Sequence, residues 1–144
     1  MICCDGNAEM LTPYRFKQHE SALMALLESG CKYACDDFTA QDVVDWFTAG
    51  KVKLWAGFEN KDTRQIKNLT VTNTVDQATH NELCVLMWTG IAWDWDLVHF
   101  CINAVALVEK CTEITIRGRR GFLRRFRNHG AVEKYTVIKM EVKQ

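Results

Sequence analysis

The sequence predicts a mixed α/β (α+β) domain: a mostly antiparallel sheet with one parallel crossover, flanked by helices. Three observations predict it. Apolar residues recur at helical spacing through about residue 50 and then switch to a period of two. Ile66 to Thr74, rich in β-branched residues, follows a polar stretch, as the second arm of a hairpin does. Finally, Leu83 to Trp88 is apolar on both faces, and a long apolar helix joins it to a later strand. A parallel pair needs that kind of connection.

Taken in order, a first helix is predicted from Phe16 to Ser29, with Phe16, Leu23, Met24, Leu26 and Leu27 on one face and Gly30 as its stop. A second starts at Thr39, where Asp42 three residues on makes a capping-box-like signal, and ends at Gly50. Val52, Leu54, Ala56 and Phe58 then share one face of a strand. Asn60 and Asp62 suit the turn into the strand Ile66–Thr74. A polar break at Asp76 to Asn81 precedes the buried strand Leu83–Trp88. A helix from Asp94 to Lys110 is apolar enough to pack against a sheet, with His99 and Asn103 as a core pair. Ile114 and Ile116 mark a short strand, Gly118 to Gly121 a turn, and Phe122 to His129 a short helix closed by Gly130. The last strands run from Val132 to Val142, where Ile138, Met140 and Val142 alternate.

The 144 residues suit one domain spanning 1–144. Apolar residues are 48% and charged residues 25%, which excludes a disordered tail or a disulfide-held mini-protein. The longest apolar run, Leu97 to Val108, is too short for a bilayer, and the start lacks the pattern of a signal peptide. Eighteen basic and eighteen acidic residues cancel, but unevenly. Residues 1–50 are acidic, whereas residues 117–127 hold Arg117, Arg119, Arg120, Arg124, Arg125 and Arg127 with no acid. Such a cluster can attract phosphate, non-specific nucleic acid or an acidic protein, or simply be a solvated helix face. Seven cysteines without a secretion signal read as reduced, buried thiols. The Cys31-x-x-x-Cys35 pair has no second ligand pair, and the four histidines are scattered, so no metal signature is visible.

The element order resembles the GNAT-type N-acetyltransferase fold, and is most similar to the small GNAT-like proteins of tailed bacteriophages. Three segments carry the resemblance: Asp37-Phe38-Thr39-Ala40-Gln41-Asp42 leading through Gly50 to Leu54-Trp55, the apolar helix ending Glu109-Lys110-Cys111, and Ile114 to Arg124 followed by His129-Gly130-Ala131. Together they cover most of residues 37–142. The resemblance implies a phage-encoded N-acetyltransferase that binds acetyl-CoA and transfers acetyl to an amine acceptor. It would work in the host cytoplasm.

In the family the cofactor lies along the end of the central strand, with its pyrophosphate on amides at the start of the next helix. Carried over, the cofactor strand is Val85 to Trp88 and the pyrophosphate loop Thr89 to Trp93. Met87, Gly90 and Ala92 stand at the positions of the Gln/Arg-x-x-Gly-x-Gly/Ala loop. Arg119 and Arg120 would reach coenzyme A phosphates, because guanidinium forks match phosphate oxygens. Glu82, near the start of that strand, is the candidate base. Asp94 and Asp96 cap the following helix but bring negative charge to the anion site. Phe126 stands where many members place a tyrosine that protonates the leaving thiolate. The alternative keeps the fold without the chemistry: a phage virion or assembly protein that meets phage structural proteins through the arginine cluster and the Trp93–Trp95 corner.

Overall fold

The computed structural model describes residues 8–32, 38–58, 65–91, 95–117, 120–133 and 140. Its core is a five-stranded sheet in the order β1-β2-β3-β4-β5. The strands are β1 (Ala8–Met10), β2 (Lys53–Phe58), β3 (Ile66–Asp76), β4 (Asn81–Gly90) and β5 (Glu113–Ile116). Neighbours pair antiparallel except β4 and β5, which are parallel. The predicted mixed sheet is therefore present. The strand β1 carries too little pattern for sequence to reveal; it pairs with β2 at the sheet edge.

The predicted first helix is two. Thr12 caps α1 (Pro13–Gln18) by accepting the Arg15 N–H at 3.2 Å, and Pro13 occupies the first turn, where its missing N–H costs nothing. His19 then leaves helical geometry, and α2 (Glu20–Cys31) starts afresh. Gly30 does not end the helix. It lies buried in the last turn of α2, against Met87 and Thr89 of β4. There, close approach of helix and strand selects glycine, not a left-handed turn.

The helix α3 (Ala40–Thr48) begins with the expected capping box: the Asp42 N–H donates to Thr39 Oγ1 and the Thr39 N–H to Asp42 Oδ2. Gly50 closes it at φ +74°, a conformation that L side chains adopt with strain. The predicted turn at residues 59–62 lies outside the described residues.

Two apolar cores flank the sheet. Leu54, Ala56, Leu69, Val71 and Met87 pack against Phe16, Leu23, Leu27, Val43 and Phe47 of α1 to α3. On the other face, Leu83 and Val85 pack against Ile102, Val105 and Ala106 of α4 (Trp95–Val108) and Phe126 of α5 (Arg120–Phe126). Only part of α4 is buried by this contact, since Phe100, Leu107 and Val108 are exposed. Asn103 is also exposed, so the expected His99–Asn103 core pair does not form. A short 3-10 turn, Arg127–His129, follows α5 and ends at Gly130 with φ +81°. Of the predicted final strands, Val132, Glu133 and Met140 are described; all three are exposed and outside any strand. Residues 134–139 and 141–144 lie outside the described residues. Among the described residues no helix is long and apolar enough to cross a membrane.

Candidate functional site

The site begins with a mismatch of strand lengths. Parallel pairing between β4 and β5 runs from Glu82↔Glu113 to Val85↔Ile116, and the Arg117 N–H still reaches the Val85 carbonyl at 3.0 Å. On its other edge β4 continues to pair with β3 as far as Asn68↔Gly90. From Leu86 to Gly90, the β5 side of β4 takes no strand partner among the described residues. The backbone groups along that edge are the ones a ligand would meet.

A β-bulge marks the place where the pairing stops. Val71 faces Met87 and Thr72 faces Val85, so Leu86 is the extra residue. A bulge bends a strand and increases its local twist. It also reverses which face each side chain takes. Val85 points into the α4–α5 core, while Met87 points into the α1–α3 core. Nothing in the local pattern marks this switch, because the run from Leu83 to Trp88 is apolar at every position.

Thr89 and Gly90, expected in a loop, are the last residues of β4. Gly90 takes φ +108°, and a Cβ there would lie 2.2 Å from the Lys67 carbonyl oxygen. The Ile91 N–H bonds to that same carbonyl at 3.0 Å. Packing on β3 therefore explains this glycine by itself. Ala92, Trp93 and Asp94 lie outside the described residues, as does Arg119. Arg120 opens α5, and Arg117, Arg124, Arg125 and Arg127 are exposed.

An aromatic and histidine cluster lies beside the open edge. Trp88 of β4 packs on Trp95 with ring centres 5.0 Å apart, and Trp95 meets Phe122 and Phe126 edge-on. The Arg125 guanidinium lies over Trp95 at 5.5 Å. Trp95 is thus half-buried and packed rather than displayed. His99 stacks on His129 at 3.8 Å, and His129 Nε2 lies 2.8 Å from Asp96 Oδ1. A protonated His129 would offset the negative charge of Asp96 at the start of α4. Burial first, and then His129, pushes the His99 imidazole below its ordinary range, against a smaller opposing pull from Asp96. Phe126 is buried in this cluster and carries no proton to donate.

Glu82 sits three residues before the last β4–β5 pair, about 10 Å along the strand from it. It is buried, and its carboxylate accepts hydrogen bonds from Thr115 Oγ1, from Cys84 Sγ at 3.1 Å and from Gln77 Nε2 at 3.3 Å. Pairing in register brings Glu113 beside it, and the turn before β4 adds His80. Sequence reading missed this trio. His80-x-Glu82 was a visible cue, but Glu113 joins only through the parallel register. Cys31, Cys84 and Cys111 are not set up as nucleophiles: burial is the first cause pushing each of them up. Cys31, Cys84 and Cys111 form no disulfide.

No protein-family model matches this chain. No curated protein matches it either. Solved structures do. Glucosamine-6-phosphate N-acetyltransferase from Arabidopsis thaliana superposes with a TM-score of 0.64 at 8% identity, covering 94% of this chain and 97% of that one. A predicted acetyltransferase with acetyl-CoA from Clostridium acetobutylicum gives 0.62 at 11% identity, covering 94% and 95%. A GNAT-family acetyltransferase from Staphylococcus aureus gives 0.59 at 10% identity, covering 94% and 97%. At such identities the likeness establishes the fold, which is that of the GNAT acetyltransferases.

Proposed function

We propose that this chain is an N-acetyltransferase that uses acetyl-CoA and acts on an amine. The observation that supports this reading is the open edge of β4, Leu86 to Gly90, starting at the Leu86 bulge and leading towards α4. One of the similar structures holds acetyl-CoA, and another is named for acetylation of an amino sugar phosphate. Backbone groups of Val85 to Trp88 would hold the pantetheine arm. Thr89, Gly90 and Ala92 would take the pyrophosphate, with Arg119 and Arg120 on the outer phosphates.

Acetyl-CoA supplies the acetyl group as a thioester, already activated for attack. The chain's own part is to fix its position and to present backbone N–H groups where negative charge develops. We assign no base from the chain: an amine that arrives neutral can attack without one and then gives up its surplus N–H proton to water, and the Glu82 carboxylate is held in its own hydrogen bonds. We assign no acid either, since Phe126 occupies the tyrosine position. The thiolate would take its proton from water, which predicts slow turnover.

The test is calorimetry and thermal shift with acetyl-CoA, followed by thiol release with a panel of amines. The expected result is saturable heat, a raised melting temperature and amine-dependent release of coenzyme A. No heat and no shift at millimolar cofactor would end the proposal. A second reading, a silent GNAT fold acting through protein contacts as in phage assembly, is favoured by exposed Phe100, Leu107 and Val108 and by Phe126. Cofactor binding without release of coenzyme A to any amine would favour it.

A further inference from the structure

The trio at the start of β4 and β5 has the composition and the supports of a metal site. His80, Glu82 and Glu113 each offer one ligand atom, and these atoms all lie within 4.8 Å of one another. A four-coordinate zinc-type ion holds its ligands about 3.4 Å apart, at bond lengths near 2.0–2.2 Å. Side-chain rotation on the scale of one ångström closes that difference.

His80 supplies the telling detail. Its Nε2 is screened from solvent and makes no hydrogen bond among the described residues. It nevertheless lies 3.2 Å from Glu113 Oε2. Its other nitrogen, Nδ1, sits 3.0 Å from Thr79 Oγ1. In the tautomer that donates Nδ1–H to Thr79, which is the form a metal ligand takes, Nε2 presents its lone pair toward that carboxylate. Two lone pairs facing each other repel unless a proton or a metal cation lies between them, and the partial exposure of both side chains leaves an ion a way in.

The rest of the cluster is fastened in the way metal ligands usually are. Thr115 and Cys84 bond to Glu82 Oε1, and Gln77 bonds to Oε2. Outer contacts of this kind orient ligands and tune their donor strength. The elements are fixed as well: the Gln77 N–H bonds to the His80 carbonyl at 2.8 Å, and the Thr112 N–H to the Asn81 carbonyl at 3.0 Å.

We propose that His80 Nε2 and the carboxylates of Glu82 and Glu113 bind one first-row divalent metal ion of the zinc type. One imidazole with two carboxylates suits zinc, cobalt or manganese better than calcium or magnesium. The ion would tie the β3–β4 turn, β4 and β5 together at the closed end of the strand pair. The site is separate from the open edge, and metal binding needs no acetyl-CoA.

The test uses the full chain after treatment with chelator. Calorimetry with zinc chloride is expected to show one equivalent bound. Cobalt chloride is expected to give visible d–d bands without the near-ultraviolet bands of cobalt–thiolate bonds. His80→Gln and Glu113→Gln are each expected to weaken binding at least tenfold and to remove the cobalt bands. Magnesium chloride is expected to leave both signals unchanged. Binding that survives both substitutions, thiolate bands, displacement by magnesium, or no binding at all would each overturn the proposal. Circular dichroism checks the fold of each variant. Glu113 is partly exposed, so Glu113→Gln carries the test if His80→Gln does not fold.

Discussion

Replacing Gly30 by alanine sets two known effects against each other at one atom. Alanine in place of glycine inside a helix is worth about 1 kcal/mol. That effect alone would stabilise α2. However, a Cβ on Gly30 would lie 2.4 Å from Met87 Sδ and 3.1 Å from both Met87 Cγ and Thr89 Cβ. Ordinary van der Waals contact needs more than a further ångström from the sulfur. Met87 is buried in the α1–α3 core, so its sulfur moves only by shifting its packed neighbours. Forcing a methyl into a packed core costs typically about 1–3 kcal/mol. The net expectation is a loss of about 1 kcal/mol, or about 2–4 °C in melting temperature for a chain of this size.

A double-mutant cycle makes the reasoning decisive. Met87→Ala removes the crowding atoms and by itself costs about 2–5 kcal/mol. In that background Gly30→Ala meets only Thr89, so it should now stabilise. The sign reversal corresponds to a coupling of about 2 kcal/mol, well outside the spread of independent sites. Urea denaturation followed by tryptophan fluorescence measures it. If Gly30→Ala has the same sign in both backgrounds, the helix–strand contact is not what selects glycine, and the argument fails.

Two further outcomes follow from the α4–α5 side. Phe126→Ala removes a buried ring that meets Trp95 and His99. It should cost about 3–5 kcal/mol, on the order of 10 °C, and a melting temperature within a degree of the parent would refute the packing. His99 is held below its ordinary value near 6.5 by burial and by His129, with Asp96 pulling the other way. The unfolded chain therefore binds its proton first as pH falls, so stability declines from about that value downward and is fully present above it. His99→Asn should flatten this acid limb in denaturation curves taken from neutral pH downward, and an unchanged slope would contradict the assignment.

Much of the fold was legible because it is written in local pattern. The capping box at Thr39 and Asp42, the period-two face of Val52 to Phe58 and the all-apolar central strand each became the expected element. Failures came where a distant contact decides. Gly30 looks like a helix stop until Met87 is seen above it. His19 breaks a continuous apolar stripe without any proline or glycine to announce it. The candidate site was legible only in outline. Resemblance pointed to the stretch from Val85 onward, but the Leu86 bulge that opens it arises from pairing with β3. Similarly, Glu113 and His80 are 33 residues apart in sequence and meet through the register of β4 with β5.

The Leu86 bulge also has a mechanical side. Leu83 and Val85 before it line one apolar core, Met87 after it lines the second, and the crossing point is that extra residue. Neither helical layer can peel away without disturbing a strand on which its opposite depends. The two layers should accordingly melt as a unit, with the amide hydrogens in the middle of β4 among the slowest to trade for deuterium. An insertion or deletion near Leu86 would swap inward for outward along half the strand and strand one of the two interiors in water.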